Sequence, residues 1–253
     1  MTPDRVFIEK ELAERGLYPY ISVYDTVDST ITRARSIIPE HDGDILIVAS
    51  SQTQGKGSHG RRFYSPQDTG LYFTAVYRDV PSSFPVTFAA GTASVKALRF
   101  FGIETSVKWV NDIFLEGKKT GGILCERNGS GDVIVGIGIN LRDPEGGFPE
   151  ELSGIAGAIG KDSLSRDLLA AVLYCELTGE IRSDPDGVME RYRSVCDTVG
   201  RKISFVLEDR EMHGTAASVE DDGALSVVTE EGEMVRFESS NVSIRYTDQQ
   251  WLN

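Results

Sequence analysis

The chain has 253 residues, of which 40% are hydrophobic and 26% are charged. This length and composition fit one medium-sized domain with a smaller one, or a single large domain, and exclude a disordered or fibrous protein. The formal net charge of −13 argues against general binding to the phosphate backbone of DNA or RNA.

The cysteines and the apolar segments indicate the compartment. The 3 cysteines, Cys125, Cys175 and Cys196, lack the spacing of a zinc site, and their odd number favours reduced thiols. Residues 1–16 lack the apolar core of a signal peptide, and no segment approaches the ~20 apolar residues that cross a bilayer. We therefore expect a cytoplasmic protein without a membrane partner.

Helices and strands are mixed up to about residue 197. Helical spacing, capping residues and breakers predict helices at residues 6–15, 31–38, 85–101, 165–181 and 187–196. Apolar and β-branched runs predict strands at residues 21–27, 45–51, 71–78, 106–115 with a bend at 111–112, from 121 onward, and 133–141. A turn is predicted at residues 116–120 and a surface loop at residues 143–154. Because short turns join the later strands, we expect a mixed or antiparallel central sheet with helices on one face.

From residue 200 the pattern changes to short strands separated by acidic turns. The strands are predicted at residues 203–206, 213–216, 224–228, 234–237 and 242–244. Short strands at this spacing, over roughly fifty residues, are typical of a small β-barrel. The chain is therefore predicted to be an α+β protein with two domains, residues 1–197 and residues 198–253.

Residues 52–64 (QTQGKGSHGRRFY) are the most unusual stretch of the chain. They lie between two predicted strands, so they are predicted to form a loop. The glycines let backbone N–H groups approach a ligand closely. Lys56, Arg61 and Arg62 can add charge-assisted hydrogen bonds to a phosphate or a carboxylate. The stretch is therefore predicted to hold an anion.

Residues 55–60 (GKGSHG) match the GxGxxG fingerprint of dinucleotide-binding proteins. That fingerprint requires a helix directly after the glycines, within a parallel βαβ unit. Here Pro66 and a further strand follow, so the context argues against a dinucleotide site. A Walker A loop is not present either, because the sequence contains no GxxxxGK[ST].

Four motifs follow one another along the chain. They are residues 55–66 (GKGSHGRRFYSP) with Leu71 and Tyr72, residues 108–112 (KWVND), residues 119–126 (KTGGILCE), and residues 136–140 (GIGIN). In these motifs the chain resembles the biotin protein ligases, also called biotin–[acetyl-CoA-carboxylase] ligases. The resemblance covers nearly the whole chain, since the strand-rich C-terminal part looks like the small barrel of that family.

The resemblance implies an ATP-dependent reaction in two steps. Biotin would be activated as biotinyl-5'-AMP, and a lysine of a biotin carboxyl carrier protein or domain would then accept it. The resemblance also implies ATP, Mg²⁺ and biotin as ligands, a biotin/lipoate ligase-like catalytic domain at residues 1–197, and a homodimer formed through the central sheet. DNA binding is not expected, because the ligase pattern starts by about Val23 and leaves little chain ahead of it for a helix-turn-helix domain.

The resemblance further implies roles for single residues. Lys119 would be the catalytic residue that bridges the biotin carboxylate and the α-phosphate. The residues implied to bind biotin are Ser29, Thr30, Gln52, Gly55, Lys56, Gly57, Arg61, Lys119, Gly122 and Gly138. Those implied to bind ATP are Phe63, Lys108, Trp109, Asn111, Asp112 and Asn140, and Asp112 is also the candidate Mg²⁺ ligand.

Several of these residues also have simpler interpretations. These are helix capping for Ser29 and Thr30, a solvated turn for Lys119, an Asn-Asp turn at residues 111–112, core packing for Phe63 and Trp109, and a strand-end cap for Asn140.

The chain departs from the family pattern at Ser58, where the family has arginine, and less strongly at Ile31, Lys56, Phe63 and Val110. The missing guanidinium leaves Arg61, Arg62 or His59 to take over its position. Two alternatives therefore stay open. One is a protein that binds biotin or its adenylate with weak or lost ligation, and the other is a ligase for a related acid such as lipoate or octanoate.

Overall fold

A computed structural model describes residues 2–207, 210–238 and 242–247, without the side chains of His59 and Leu207. Two β-sheets organise these residues, and the predicted α+β class is confirmed. The helices span Arg5–Ala13 (α1), Thr30–Ile37 (α2), Val86–Phe100 (α3), Glu150–Ser153 (α4), Arg166–Ile181 (α5) and Val188–Val195 (α6). Within the described ranges, no helix has the length and apolar character needed to cross a membrane.

The larger sheet carries the glycine-rich motifs. Its strands are Tyr20–Val27 (β1), Ile45–Gln52 (β2), Gly70–Tyr77 (β3), Ser106–Lys108 (β4), Asp112–Leu115 (β5), Lys118–Arg127 (β6) and Val133–Asn140 (β7). They lie in the order β1-β2-β3-β7-β6-β5-β4. β1 and β2 are parallel and the other neighbours are antiparallel, so the predicted mixed sheet is confirmed. This order places β6 and β7 beside β3, which follows the glycine-rich loop.

Helices pack on both faces of the larger sheet. Along β2, Leu46 and Val48 join the core formed with α1, α3, α5 and α6, whereas Ile45 and Ile47 join a second core under α2. Successive side chains of a strand point to opposite faces, so the continuous apolar run of β2 reflects burial on both sides. The prediction of helices on one face is therefore wrong, because α2 covers the other face.

The predicted strand at residues 106–115 is two strands. β4 and β5 pair antiparallel, with Ser106 opposite Phe114 and Lys108 opposite Asp112, and residues 109–111 connect them. The apolar run predicts one strand. In the fold, however, the Asn111 side chain donates to Ile123 O (2.6 Å) in β6. The tight hairpin places Asp112 beside Lys108.

Two further boundaries differ from the prediction. β6 begins at Lys118 rather than at residue 121, because the turn before it needs only Glu116 and Gly117, which adopt φ of +50° and +77°. The predicted surface loop at residues 143–154 contains α4. Two glutamates in the first turn favour this short helix.

The smaller sheet follows α6. Its strands are Lys202–Leu207 (β8), Arg210–Val219 (β9), Leu225–Thr229 (β10), Met234–Phe237 (β11) and Ile244–Tyr246 (β12), in the order β11-β10-β9-β8-β12. All described neighbours are antiparallel. Closure of this sheet into a barrel stays a prediction, and so does a domain boundary between residues 197 and 198.

Trp109 joins the two sheets. Its side chain is 4% exposed, and its indole Nε1–H donates to Gly223 O (3.0 Å) in the turn between β9 and β10. Its backbone N–H donates to Thr198 Oγ1 (2.8 Å). The segment between β4 and β5 is therefore anchored to the smaller sheet.

The second core should contribute measurably to stability. Ile47 in β2 is fully buried under α2. Ile47→Ala is expected to lower the free energy of unfolding by about 2–5 kcal/mol, because it removes buried methyl groups and leaves a cavity. Urea denaturation followed by circular dichroism measures this change. Val6→Ala, at a side chain that is 75% exposed, is the control and should change the value by less than about 0.5 kcal/mol. Equal losses in the two variants would contradict a core under α2.

Candidate functional site

Residues 53–64 lie in the loop between β2 and β3, as predicted, whereas Gln52 is the last residue of β2. A short 3₁₀ turn spans Ser58–Gly60, and the backbone closes on itself through a bridge between Lys56 and Arg62. After this bridge the chain turns back into β3 and does not enter an α-helix. The loop therefore lacks the strand–loop–helix geometry of a dinucleotide fingerprint.

The first cavity lies against this loop and has a polar end lined by Thr30 and Gln52. Thr74 donates its hydroxyl to Thr30 Oγ1 (2.8 Å). Thr30 in turn donates both its backbone N–H (2.9 Å) and its hydroxyl (3.1 Å) to Gln52 Oε1. Gln52 Nε2 donates to Ser65 Oγ (3.0 Å). These hydrogen bonds hold the Gln52 amide in one orientation at the cavity wall.

Ser29 stands at the N-cap position of α2, yet its side chain makes no capping hydrogen bond. The residue is 1% exposed, and within the described part of the chain its Oγ has no hydrogen-bond partner. A buried hydroxyl without a partner costs about 1–3 kcal/mol. Because Ser29 lines the first cavity, its hydroxyl is available to a polar group bound there. The capping interpretation of Ser29 is wrong.

Glycines form one wall of the first cavity. Gly122 in β6 lies opposite Gly138 in β7. A Cβ built on Gly138 would lie 2.5 Å from Phe63 Cε1, and one built on Gly136 would lie 2.5 Å from Ile31 Cδ1. Any side chain at Gly136 or Gly138 would displace these neighbours, so close approach requires glycine here.

Lys119 and Asp112 form an ion pair at the border of this cavity. The distance from Lys119 Nζ to Asp112 Oδ1 is 2.5 Å, and both side chains are partly exposed. The Lys119 backbone donates to Ile155 O (2.9 Å) and accepts from Gly157 N–H (2.9 Å). Lys119 belongs to β6 and its backbone is hydrogen-bonded to residues 155–157, so its interpretation as a solvated turn residue is wrong.

A second cavity, of about 340 Å³, shares Asn111 and Asp112 with the first. Lys108 and residues 242–244, which include the start of β12, also line it. Burial lowers the pKa of the Lys108 ammonium below its ordinary value, and the nearby Asp112 carboxylate partly opposes that effect. A cavity with a lysine and an amide in its walls suits phosphate groups.

A third cavity, of about 150 Å³, has mostly apolar walls. Its walls come from the glycine-rich loop and the segment around α4, and include Phe63, Tyr64, Phe148, Leu152 and Ala156. The rings of Tyr64 and Phe148 meet edge to face, with centroids 6.5 Å apart. Lys119 and Asn140 border this cavity, and Asn140 Nδ2 donates to Gly157 O (3.0 Å). Walls of this kind suit a planar ring system.

Arg61 borders the second and third cavities rather than the first. Its guanidinium donates to Ser58 O (3.2 Å) and to Ser58 Oγ (3.3 Å). A guanidinium therefore lies beside Ser58, where the family has arginine. The His59 side chain, the other predicted substitute, lies outside the described residues, and Arg62 borders the third cavity.

The structure brings most of the predicted site residues together. Those lining the first cavity are Ser29, Thr30, Gln52, Lys56, Gly57, Phe63, Asn111, Asp112, Lys119, Gly122 and Gly138. Gly55 is not part of these three linings, because it packs inside the loop, where a Cβ would lie 2.4 Å from Phe63 O. Trp109 borders the second cavity, but its indole N–H is engaged by Gly223.

The sequence analysis did not identify the apolar residues of the third cavity. Phe148 and Leu152 lie in a stretch rich in proline and glycine, where no periodic pattern marks a buried position. It also missed the contribution of residues 242–244, because only the fold brings the smaller sheet to the second cavity.

Asp112 is the acidic side chain shared by the first and second cavities. No group of three His, Cys, Asp or Glu side chains in residues 2–207, 210–238 and 242–247 could hold a metal ion. Mg²⁺ is usually bound through one or two carboxylates together with substrate phosphates. One carboxylate beside a cavity suited to phosphates fits that kind of site.

Two family profiles match this chain. The profile of the biotin/lipoate A/B protein ligase family covers residues 23–141, and that of the biotin protein ligase C terminal domain covers residues 198–245. The bifunctional ligase/repressor BirA of Bacillus spizizenii is 30% identical over 224 residues, which are 82% of this chain and 69% of that protein. The biotin--[acetyl-CoA-carboxylase] ligase of Paracoccus denitrificans is 28% identical over 218 residues, which are 78% of this chain and 90% of that protein.

Solved structures show the same architecture. The biotin protein ligase from Aquifex aeolicus in complex with biotin and ATP superposes with a TM-score of 0.75 at 27% sequence identity. The superposition covers 91% of this chain and 100% of that chain. With two family profiles, a relative at 30% identity and a shared fold, this chain belongs to the biotin/lipoate A/B protein ligase family.

Proposed function

We propose that this protein is a biotin–[acetyl-CoA-carboxylase] ligase, which activates biotin with ATP and transfers it to a carrier protein. The observation that carries the proposal is the position of the Lys119–Asp112 ion pair. Lys119 borders the first and third cavities, and Asp112 borders the first and second. The pair thus lies where three cavities of different chemistry meet.

Each cavity is proposed to take one part of the reactants. The first, with its polar end, takes biotin. The second, with Lys108 and Asn111, takes the phosphates, and the third, with its apolar walls, takes the adenine ring. The similar biotin protein ligase from Aquifex aeolicus, whose structure was solved in complex with biotin and ATP, supports this pair of ligands.

In the first step a biotin carboxylate oxygen attacks the α-phosphorus of ATP. An acyl–phosphate bond forms, the bond from the α-phosphorus to the bridging oxygen breaks, and pyrophosphate leaves with the electron pair. Both reactants are anions, so catalysis rests on positioning and on neutralising charge. Lys119 supplies positive charge where the carboxylate meets the α-phosphate, and Lys108 supplies it in the cavity proposed for the leaving pyrophosphate.

In the second step the uncharged amine of a carrier lysine attacks the acyl carbon of biotinyl-5'-AMP. An amide bond forms, the acyl–oxygen bond breaks, AMP leaves, and the amine loses a proton to solvent. Lys119 remains beside the phosphate and favours departure of AMP by neutralising its charge.

The polar end of the first cavity favours biotin over lipoate or octanoate. Biotin carries a ureido ring with hydrogen-bond donors and an acceptor, whereas the far ends of the other two acids have neither. Ser29 Oγ lacks a partner within the described chain, and Thr30 and Gln52 lie in the same lining. An apolar acid would leave this buried hydroxyl unpaired. A site that hydrogen-bonds a polar group of its ligand strongly rejects a ligand without that group.

The metal, the acceptor, the oligomeric state, the location and the domain division belong to the same proposal. Mg²⁺ would be held by Asp112 with the phosphates, assisted by Asn111, and would supply further charge neutralisation. The acceptor is proposed to be a biotin carboxyl carrier protein or domain. A homodimer through the larger sheet, a cytoplasmic location and a division into residues 1–197 and 198–253 are proposed on the resemblance to the family.

The purified protein is expected to transfer labelled biotin to a biotin carboxyl carrier domain with ATP and Mg²⁺. Lys119→Gln should lower the rate of biotin-dependent pyrophosphate release by about 10²–10³-fold, because it removes charge stabilisation at the reacting phosphate. Lys118→Gln is the control, since Lys118 is the exposed neighbour in the same strand. No transfer and no pyrophosphate release by the unaltered protein would reject the proposal. Binding of biotin without carrier labelling would instead establish the alternative of a binding protein.

Ser29→Ala is expected to weaken biotin binding about tenfold, the effect of one hydrogen bond in a buried site. Its free energy of unfolding should not fall, because the Ser29 hydroxyl has no partner in the described chain. Calorimetric titration with biotin and with lipoate measures the affinities. Ser94→Ala is the control, since the Ser94 hydroxyl donates to Ala90 O (2.8 Å) within α3. Unchanged biotin affinity in Ser29→Ala would refute this contact.

The contact between Arg61 and Ser58 predicts how the loop retains the adenylate. Ser58→Arg should slow the release of biotinyl-5'-AMP by less than about threefold, because a guanidinium already lies there, whereas Arg61→Met should speed release about tenfold. Release is measured by chasing labelled adenylate with unlabelled biotin and ATP. Arg142→Met, at an exposed arginine outside the three linings, is the control. A large slowing in Ser58→Arg would show that Arg61 has not taken over the role.

A further inference from the structure

The ammonium group of Lys108 lies near two aromatic rings. Its Nζ is 5.1 Å from the ring centroid of Tyr246 and 5.5 Å from that of Phe114. It has no hydrogen bond or close ion pair within residues 2–207, 210–238 and 242–247. A cation over a ring face is attracted to it without being neutralised. The Lys108 charge therefore remains available to an anion in the second cavity, which Lys108 lines.

Tyr246 is held from several directions. Its hydroxyl donates to Asp197 Oδ1 (2.7 Å) and lies 2.8 Å from Thr198 Oγ1. Arg201 Cζ lies 5.0 Å from the centroid of the same ring. Thr198 Oγ1 also accepts the backbone N–H of Trp109 (2.8 Å), the residue after Lys108. The ring and the backbone at Lys108 are thus fixed by one set of hydrogen bonds.

We propose that Tyr246 is a positioning residue for ATP: its ring, oriented by Asp197 and Thr198, keeps the Lys108 ammonium directed into the second cavity. Strand β12 of the smaller sheet then completes the phosphate site of the larger one. This inference rests on the proposed function, because it assigns ATP phosphates to the second cavity.

The choice of a ring as partner has a physical reason. A carboxylate in place of Tyr246 would orient Lys108 equally well, but it would cancel the charge and repel phosphate. Lys119 shows the other arrangement, since it is paired with Asp112 and has to exchange that partner for a ligand. A ring orients the cation without neutralising it.

The first test is binding of α,β-methylene-ATP, which cannot release pyrophosphate, to protein saturated with biotin. Calorimetry should show about a tenfold weaker affinity in Tyr246→Leu, which loses the ring, and a smaller loss in Tyr246→Phe, which keeps the ring but loses the hydrogen bonds that orient it. Biotin affinity should be unchanged in the two variants. If Tyr246→Leu does not fold, Tyr246→Met takes its place.

A double-mutant cycle separates positioning from general stability. If Tyr246 acts through Lys108, Tyr246→Leu should weaken nucleotide binding no further in a Lys108→Met background. A purely structural role would give losses that add. Arg193→Met is the control, because Arg193 donates to Val219 O (2.6 Å) and pairs with Asp221, and so joins α6 to the smaller sheet without contacting Lys108.

The outcomes distinguish this inference from the proposed function. Unchanged nucleotide affinity in Tyr246→Leu, an equal loss in Arg193→Met, or additive losses with Lys108→Met would each overturn it. If the unaltered protein binds the nucleotide but forms no adenylate, the proposed function fails, and the cycle still decides the role of Tyr246. If the unaltered protein does not bind the nucleotide, the two fail together.

Discussion

Where β6 pairs with β7, Gly122 lies opposite Gly138, and neither residue has a side chain. The same register continues across the sheet, because Gly122 also pairs with Asp112 in β5 and Asp112 pairs with Lys108 in β4. One row of paired residues thus runs from the two glycines to the carboxylate of Asp112 and then to the ammonium of Lys108. Backbone hydrogen bonds align this row, so the backbone positions of Asp112 and Lys108 keep a fixed spacing from the glycines that line the first cavity.

The electrostatics of the site differ from those of the whole chain. The chain is acidic, with a net charge of −13, yet cations gather around the three cavities. Three of them are held differently: Lys119 by a carboxylate, Arg61 by neutral oxygens of Ser58, and Lys108 by aromatic rings. The Lys119 ammonium is paired with a carboxylate, whereas the partners of Arg61 and Lys108 are uncharged, so an incoming anion meets less competition at Arg61 and Lys108.

Strand positions and the glycine motifs could be predicted from the sequence, because alternation and glycine clusters are local signals. The second core could not, since the apolar run of β2 is compatible with burial on either face or on both. The hydroxyl of Ser29 reads as a helix cap, and only the folded chain shows that it caps nothing. Tyr246 carries no motif and acquires its place through contacts made far along the chain. Local patterns therefore identified the ligand-binding elements, and long-range packing determined how they are completed.

The unpartnered hydroxyl of Ser29 has a consequence for the lifetime of the protein. Burying it without a partner costs the ligand-free fold about 1–3 kcal/mol. A ligand that binds only the folded state adds stability by mass action, and one that satisfies this hydroxyl also removes that cost. Proteases that cleave transiently opened chains respond to the equilibrium between folded and open forms. The survival of this protein among proteases should therefore follow the supply of the ligand that fills its first cavity.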